Sequence, residues 1–152
     1  MFRKILHPTD FSEPSHKAFK VLKEMVKNGV EEVYILNVVD VREIATIANM
    51  EGFSSLRYDE LEAEIERKMK EKAKARVIEM ANEIESGSSL VKAVGLVKIG
   101  IPFEEINRFV KEEGIELVIL GSHGKSWVAG MLLGSTSEKV IRKVSCPVLV
   151  VK

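Results

Sequence analysis

Two segments of this chain, Val33 to Val39 (VYILNVV) and Ile115 to Leu120 (IELVIL), are apolar at almost every position. A strand with one face in water alternates apolar and polar residues. A run without alternation belongs to a strand buried on both faces, as in a parallel sheet covered by helices. Three further segments have strand character: Phe2 to His7, stopped by Pro8, then Leu90 to Ile99 and Pro147 to Lys152. Helical patterns lie between them. Ser12 is placed to cap a helix with Pro14 in its first turn; Ala18, Val21, Leu22, Met25 and Val26 mark its buried face before Asn28-Gly29 ends it. Leu61, Ile65, Met69, Ala73, Val77, Met80 and Ile84 form the stripe of a long helix that stops at Ser86-Gly87-Ser88. The charges of that helix, from Leu61 to Glu85, are expected to be a solvated face. Pro102 opens and Gly114 closes a helix carrying Phe103, Ile106, Phe109 and Val110. The last helix is expected over Ser135 to Val144, with Ser135 and Glu138 spaced as a capping box. Periodicity fades between Asp40 and Leu61, which predicts an irregular stretch. Gly121 to Gly134 is expected to be a loop, with a helical turn within Trp127 to Leu133.

Strands alternating with helices define an α/β chain: one domain over residues 1–152, with a five-stranded parallel sheet and helices on both faces. Ligands of such sheets bind beyond the carboxyl ends of the strands, where the strand order reverses. If the first and fourth strands are central neighbours, Pro8-Thr9-Asp10 and the Gly121 loop line that crevice. Composition narrows the field further. Lys plus Arg and Asp plus Glu balance at 23 each, so no global electrostatic grip on nucleic acid or an anionic membrane is expected. No apolar run reaches the length of a membrane span, and the single cysteine, Cys146, fits a reducing cytoplasm and a small packed hydrophobe. The three histidines and Cys146 never cluster at ligand spacing, so no transition-metal site is expected.

The chemistry concentrates in GSHGKSWVAGMLLGSTSEKV, which contains Gly121-x2-Gly124-x9-Gly134-Ser135. A phosphate chain needs backbone N–H groups that can approach without a Cβ in the way, and a helix N-terminus whose unpaired amides face the anion. Ser135, Thr136 and Ser137 stand at such a terminus and add hydroxyls. His123, in the same loop, is a candidate phosphate contact or a solvated loop residue.

On these residues the chain resembles the ATP-binding branch of the universal stress protein family. The resemblance runs from KILHPTDFSEPSHKAF through EEVYILNVVD and KIGIPFEEI to SCPVLVVK, and the glycine pattern is its most discriminating part. It implies a Rossmann-like sheet of the adenine nucleotide alpha hydrolase type. It also implies ATP, or AMP or ADP, as ligand, with Mg2+ or Mn2+. Pro8, Thr9 and Asp10 would flank the nucleoside, and Val38 would contact the adenine. Gly121 and Gly124 would approach ribose and phosphates, while Gly134, Ser135, Thr136 and Ser137 would hold the phosphates. His7 receives no role. The implied function is a stress-response or signalling module that works as a homodimer. The dimer is also suggested by the apolar PVLVVK strand, which as an open sheet edge would invite aggregation unless a two-fold partner, or two helices, covered it.

Hydrolysis is expected to be slow at most, because no water-activating base or cis arginine finger is evident beside the loop. The competing enzyme reading, an ATPase or adenylate-forming enzyme, calls for a Ser-Gly-Gly type loop after the first strand, where Pro8-Thr9-Asp10-Phe11-Ser12 stands. Gly124-Lys125-Ser126 is not a Walker A motif, since Ile119 occupies the required glycine position. A phosphoryl receiver would need paired acids after the first strand, and Asp10 stands alone there.

Overall fold

A computed structural model describes residues 2–51, 57–125 and 128–152. Five strands, β1 (Lys4–Pro8), β2 (Glu32–Asp40), β3 (Lys92–Gly100), β4 (Leu117–Gly121) and β5 (Val148–Val151), form one sheet in the order β3-β2-β1-β4-β5. Every neighbouring pair is parallel. The chain moves outward from β1 through β2 to β3, then returns to the other side of β1 for β4. The order therefore reverses between β1 and β4, as the crevice argument requires.

Among the described residues five helices cover the sheet: α1 (Glu13–Met25), α2 (Val41–Glu51), α3 (Tyr58–Gly87), α4 (Pro102–Glu113) and α5 (Ser135–Lys143). Alternate strand residues face opposite layers. Ile5, Val33, Ile35 and Ile119 pack with Phe19 and Leu22 of α1 and Val77 and Ile84 of α3. Leu6, Leu36, Val118 and Leu120 pack with Ile106 and Phe109 of α4 and Val140 of α5. This is why the central runs lack polar alternation: both of their faces are core.

Local signals set most boundaries. The Ser12 side chain accepts a hydrogen bond from the Ser15 amide, and Pro14 lies in the first turn of α1. A short 3-10 turn, Val26–Asn28, follows α1 and ends on Gly29 with φ 90°. Gly114, at φ 62°, closes α4 in the left-handed conformation that a side chain would resist.

Three expectations are corrected. The stretch after Asp40 is not irregular: α2 occupies Val41–Glu51, burying Ile44 and Ala48 against Ile65 and Ala73 of α3. Its apolar stripe is only about one turn long, and packing on α3 supplies what periodicity does not. The capping box is not formed. Gly134 is the N-cap of α5 and has no side-chain cap bond, its carbonyl accepts from the Glu138 amide at 2.9 Å, and Glu138 pairs with Arg142 instead. Residues 128–133 hold a β-turn and no helical turn; Met131 N–H donates to the Val128 carbonyl at 3.2 Å with Gly130 at φ 93°. Trp127 lies outside the described residues.

Candidate functional site

The carboxyl ends of β1, β2 and β4 open into a cleft of about 690 Å3. Pro8, Thr9, Asp10, Val38, Gly121, Gly124, Gly134, Ser135, Thr136 and Ser137, all singled out in the sequence, line it. Residues separated by more than a hundred positions meet there because β1 and β4 are neighbours.

The turn after β1 is held from several sides. Asn37 Nδ2 donates to the Thr9 carbonyl at 2.8 Å, and the Thr9 amide donates to the Leu36 carbonyl at 2.9 Å. Thr9 Oγ1 accepts from the Phe11 amide at 3.0 Å and from Ser15 Oγ at 2.6 Å. Phe11 is thereby fixed at φ 63°, a conformation that costs a non-glycine residue free energy and is concentrated at functional sites. One Asp10 oxygen, Oδ1, accepts from the Ser12 amide at 3.0 Å and from its hydroxyl at 2.5 Å; the other, Oδ2, accepts from the Lys125 amide at 2.8 Å. Asp10 thus braces the β1 turn against the glycine loop.

That brace explains the glycines. Gly121, Gly124 and Gly134 are not needed for left-handed dihedrals, since none has a positive φ. They are needed for close approach. A Cβ at Gly124 would run into Asp10 Oδ2, one at Gly121 would stand 2.7 Å from the Pro14 carbonyl carbon, and one at Gly134 would stand 3.0 Å from His123 Cα. The Gly134 amide donates to the Ser122 carbonyl at 2.8 Å, turning the chain into α5. With Gly134 as N-cap, the amides of Ser135, Thr136 and Ser137 occupy the first turn, where the helix offers no carbonyl to them. Ser135 is exposed and Thr136 half-buried, whereas Ser137 is buried and donates its hydroxyl to the Gly121 carbonyl at 3.0 Å. Ser122 Oγ lies 3.0 Å from His123 Nδ1, and His123 lines the cleft.

The rest of the lining divides by face. On the α4/α5 side it is apolar: Leu36, Val38, Pro102, Ile106, Leu120 and Val140. On the α3 side stand Phe11, Met69, Lys72, Ala73 and Arg76, and Asp40 and Glu43 mark the β2–α2 corner. The Arg42 guanidinium, bonded to both Asp40 oxygens, holds the Asp40 carboxyl below the ordinary carboxylate range. Lys72 and Arg76 were missed in the sequence because they were absorbed into the solvated face of α3; their four-residue spacing around buried Ala73 was the available signal. Asn37 was missed too, although an amide inside an apolar strand marks a polar task. Among the described residues no group of three or more His, Cys, Asp or Glu side chains could hold a metal ion. A second hollow of about 550 Å3, lined by Met131, Leu132, Leu133, Glu138, Ile141 and Arg142, contains none of the cleft's glycines. No helix among the described residues is long and apolar enough to cross a membrane.

A sequence model of the Universal stress protein family matches residues 1–152. Universal stress protein MJ0577 of Methanocaldococcus jannaschii is 40% identical, the match covering 100% of this chain and 96% of that protein. The MJ0577 structure superposes with a TM-score of 0.85 at 39% identity, over 100% of this chain and 96% of that one. The fold is also shared with a universal stress protein determined in complex with cAMP (TM-score 0.60, 17% identity, 99% of this chain and 96% of that one). An Archaeoglobus fulgidus universal stress protein in complex with dAMP gives a TM-score of 0.61 at 17% identity, over 99% of this chain and 98% of that one.

Proposed function

The chain belongs to the universal stress protein family, and from that premise we propose that it binds an adenine nucleotide, ATP foremost, in the cleft between β1 and β4. The observation that carries the reading is the convergence of a glycine cradle closed to any Cβ with the open first turn of α5. The first-turn amides of Ser135, Thr136 and Ser137, beside glycine backbone that carries no Cβ, suit an anionic phosphate chain. The apolar wall of Val38, Ile106 and Leu120 suits a flat base. Two proteins of the same fold, determined with cAMP and dAMP, support adenine nucleotides as the ligand class.

In this reading Pro8, Thr9 and Asp10 flank the nucleoside, and Gly121, Gly124, Gly134, Ser135 and Thr136 receive the phosphates. Ser137 contributes its amide, its hydroxyl proton being directed to Gly121. Mg2+ or Mn2+ accompanying the nucleotide would supply charge neutralisation on the phosphates. The three hydrogen bonds received by Asp10 make it a brace more than a free base, so hydrolysis stays below about 1 s⁻¹, the low end of ordinary enzymes. The protein works as one domain over residues 1–152, in the cytoplasm, as a homodimer joined through β5 whose occupancy is read by a stress-response partner.

Calorimetric titration of nucleotide-stripped protein with Mg-ATP tests this. A dissociation constant near micromolar, about −8 kcal/mol, is expected for wild type. Gly124→Val should lose detectable heat because the added side chain displaces the Asp10 carboxylate from the Lys125 amide. Equal affinity in wild type and Gly124→Val would sink the proposed site, as would no heat at millimolar ATP with folded protein.

A further inference from the structure

The cleft extends to the face of the sheet opposite α5, and α3 contributes two cations there. Lys72 and Arg76 lie one turn apart on either side of buried Ala73, and both line the cleft. Arg76 is held in place: its guanidinium carbon stands 3.9 Å from the centroid of the Phe11 ring. Phe11 is the residue fixed at φ 63° by the Thr9 hydroxyl, and it directly follows Asp10, which reaches the glycine loop. A guanidinium stacked on an aromatic ring loses little rotamer freedom when it receives an anion, and its outward N–H groups remain free to donate. Elsewhere on α3, Arg67 pairs with Glu71 and Lys68 with Glu64. Among the described residues no carboxylate pairs with Lys72 or Arg76.

Lys72 and Arg76 stand exposed at the rim of the cleft, so an anion entering it meets two cations that need little desolvation to receive it. The acidic groups facing the same space do not neutralise them: Asp10 is bonded to Ser12 and Lys125, Asp40 is paired with Arg42, and Glu43 sits at the β2–α2 corner. Glu43 repels a phosphate chain from its corner, leaving the glycine loop and the α3 wall as the favourable path. Resting on the nucleotide reading of the cleft, we propose that Arg76, stacked on Phe11, and Lys72 form an anion arm that receives the distal phosphates of a nucleoside polyphosphate. The arm makes the site discriminate by phosphate number, since a monophosphate satisfied at the glycine loop gains nothing from it.

The test is the ratio of ATP to AMP affinity, measured by calorimetry for wild type, Arg76→Met, Lys72→Met and the double variant, with Lys74→Met as a control. Lys74 is an exposed cation of the same helix that does not line the cleft. The double variant should lower the ratio about tenfold, the order expected of two partly screened charge contacts, with AMP affinity unchanged within about twofold. Lys74→Met should leave the ratio alone. Arg76→Lys should recover part of the loss, because it restores the charge without the planar stack. Wild-type ATP affinity should also fall more steeply with added KCl than that of the double variant. An unchanged ratio in a double variant that melts with the wild type would overturn the inference while leaving the nucleotide site standing. A ratio lowered equally by Lys74→Met would reduce it to net charge and overturn it too. Failure of wild type to bind either nucleotide would overturn both readings.

Discussion

At His7 the chain buries an imidazole completely in the core, stacked on Phe19 at 5.8 Å between ring centroids. Nδ1 lies 2.9 Å from the Ile119 carbonyl, so the neutral tautomer that donates from Nδ1 fits, and Nε2 is buried without a partner. Burial dominates and lowers the His7 pKa from 6.5 to about 4, against smaller opposing effects of the Ile119 bond and of Asp10. The unfolded chain therefore takes up a proton below about pH 6.5 that the folded chain refuses until about pH 4. Stability is full above pH 6.5 and declines as pH falls through that window, by about 1.4 kcal/mol per pH unit from this group. Urea unfolding midpoints at pH 7.5 and 5 should show the decline, and His7→Leu should have a shallower pH slope whatever its absolute stability. Identical slopes in the two proteins would show that His7 does not carry the effect. No sequence signal announced this role, because a histidine in a strand looks the same whether its partner is a carbonyl or water.

At the scale of elements, the strands and most helices were legible because their apolar patterns are long and their ends chemically marked, as at Ser12, Gly29 and Gly114. The failures share a cause. α2 presents only Ile44, Ile47 and Ala48 to its neighbour, too short a stripe to register without α3 opposite. The cap of α5 is Gly134 and not Ser135 because Gly134 is pulled onto Ser122, a contact set by the loop and not by the serine-glutamate spacing. The glycine loop was placed correctly in the sequence, yet its reason was only half visible: the close approach of Pro14, Asp10 and His123 is a property of β1 lying beside β4. The β5 edge follows the same logic. Its strand pairs with β4 alone and leaves Leu149 37% exposed, so the open backbone edge and the apolar side chain both favour a second copy. Light scattering should give a dimer for wild type and a monomer for Leu149→Lys. A wild-type monomer at high micromolar concentration would remove β5 as an interface.

The whole molecule is a parallel sheet whose one reversal of strand order brings together what the sequence keeps apart. Asp10 and Lys125 are joined at 2.8 Å across most of the chain, and that bond ties the turn after β1 to the glycine loop. The central claim, that this junction is where an adenine nucleotide sits, is tested most directly by mapping backbone amide chemical shifts of the 17.0 kDa chain during titration with Mg-ATP. Saturable shifts are predicted at Thr9 to Ser12, Asn37 to Asp40, Gly121 to Lys125 and Gly134 to Ser137, with α1 beyond its first turn unaffected. Shifts confined to the other hollow, around Met131, Leu132 and Ile141, or no shifts at millimolar nucleotide, would contradict the account.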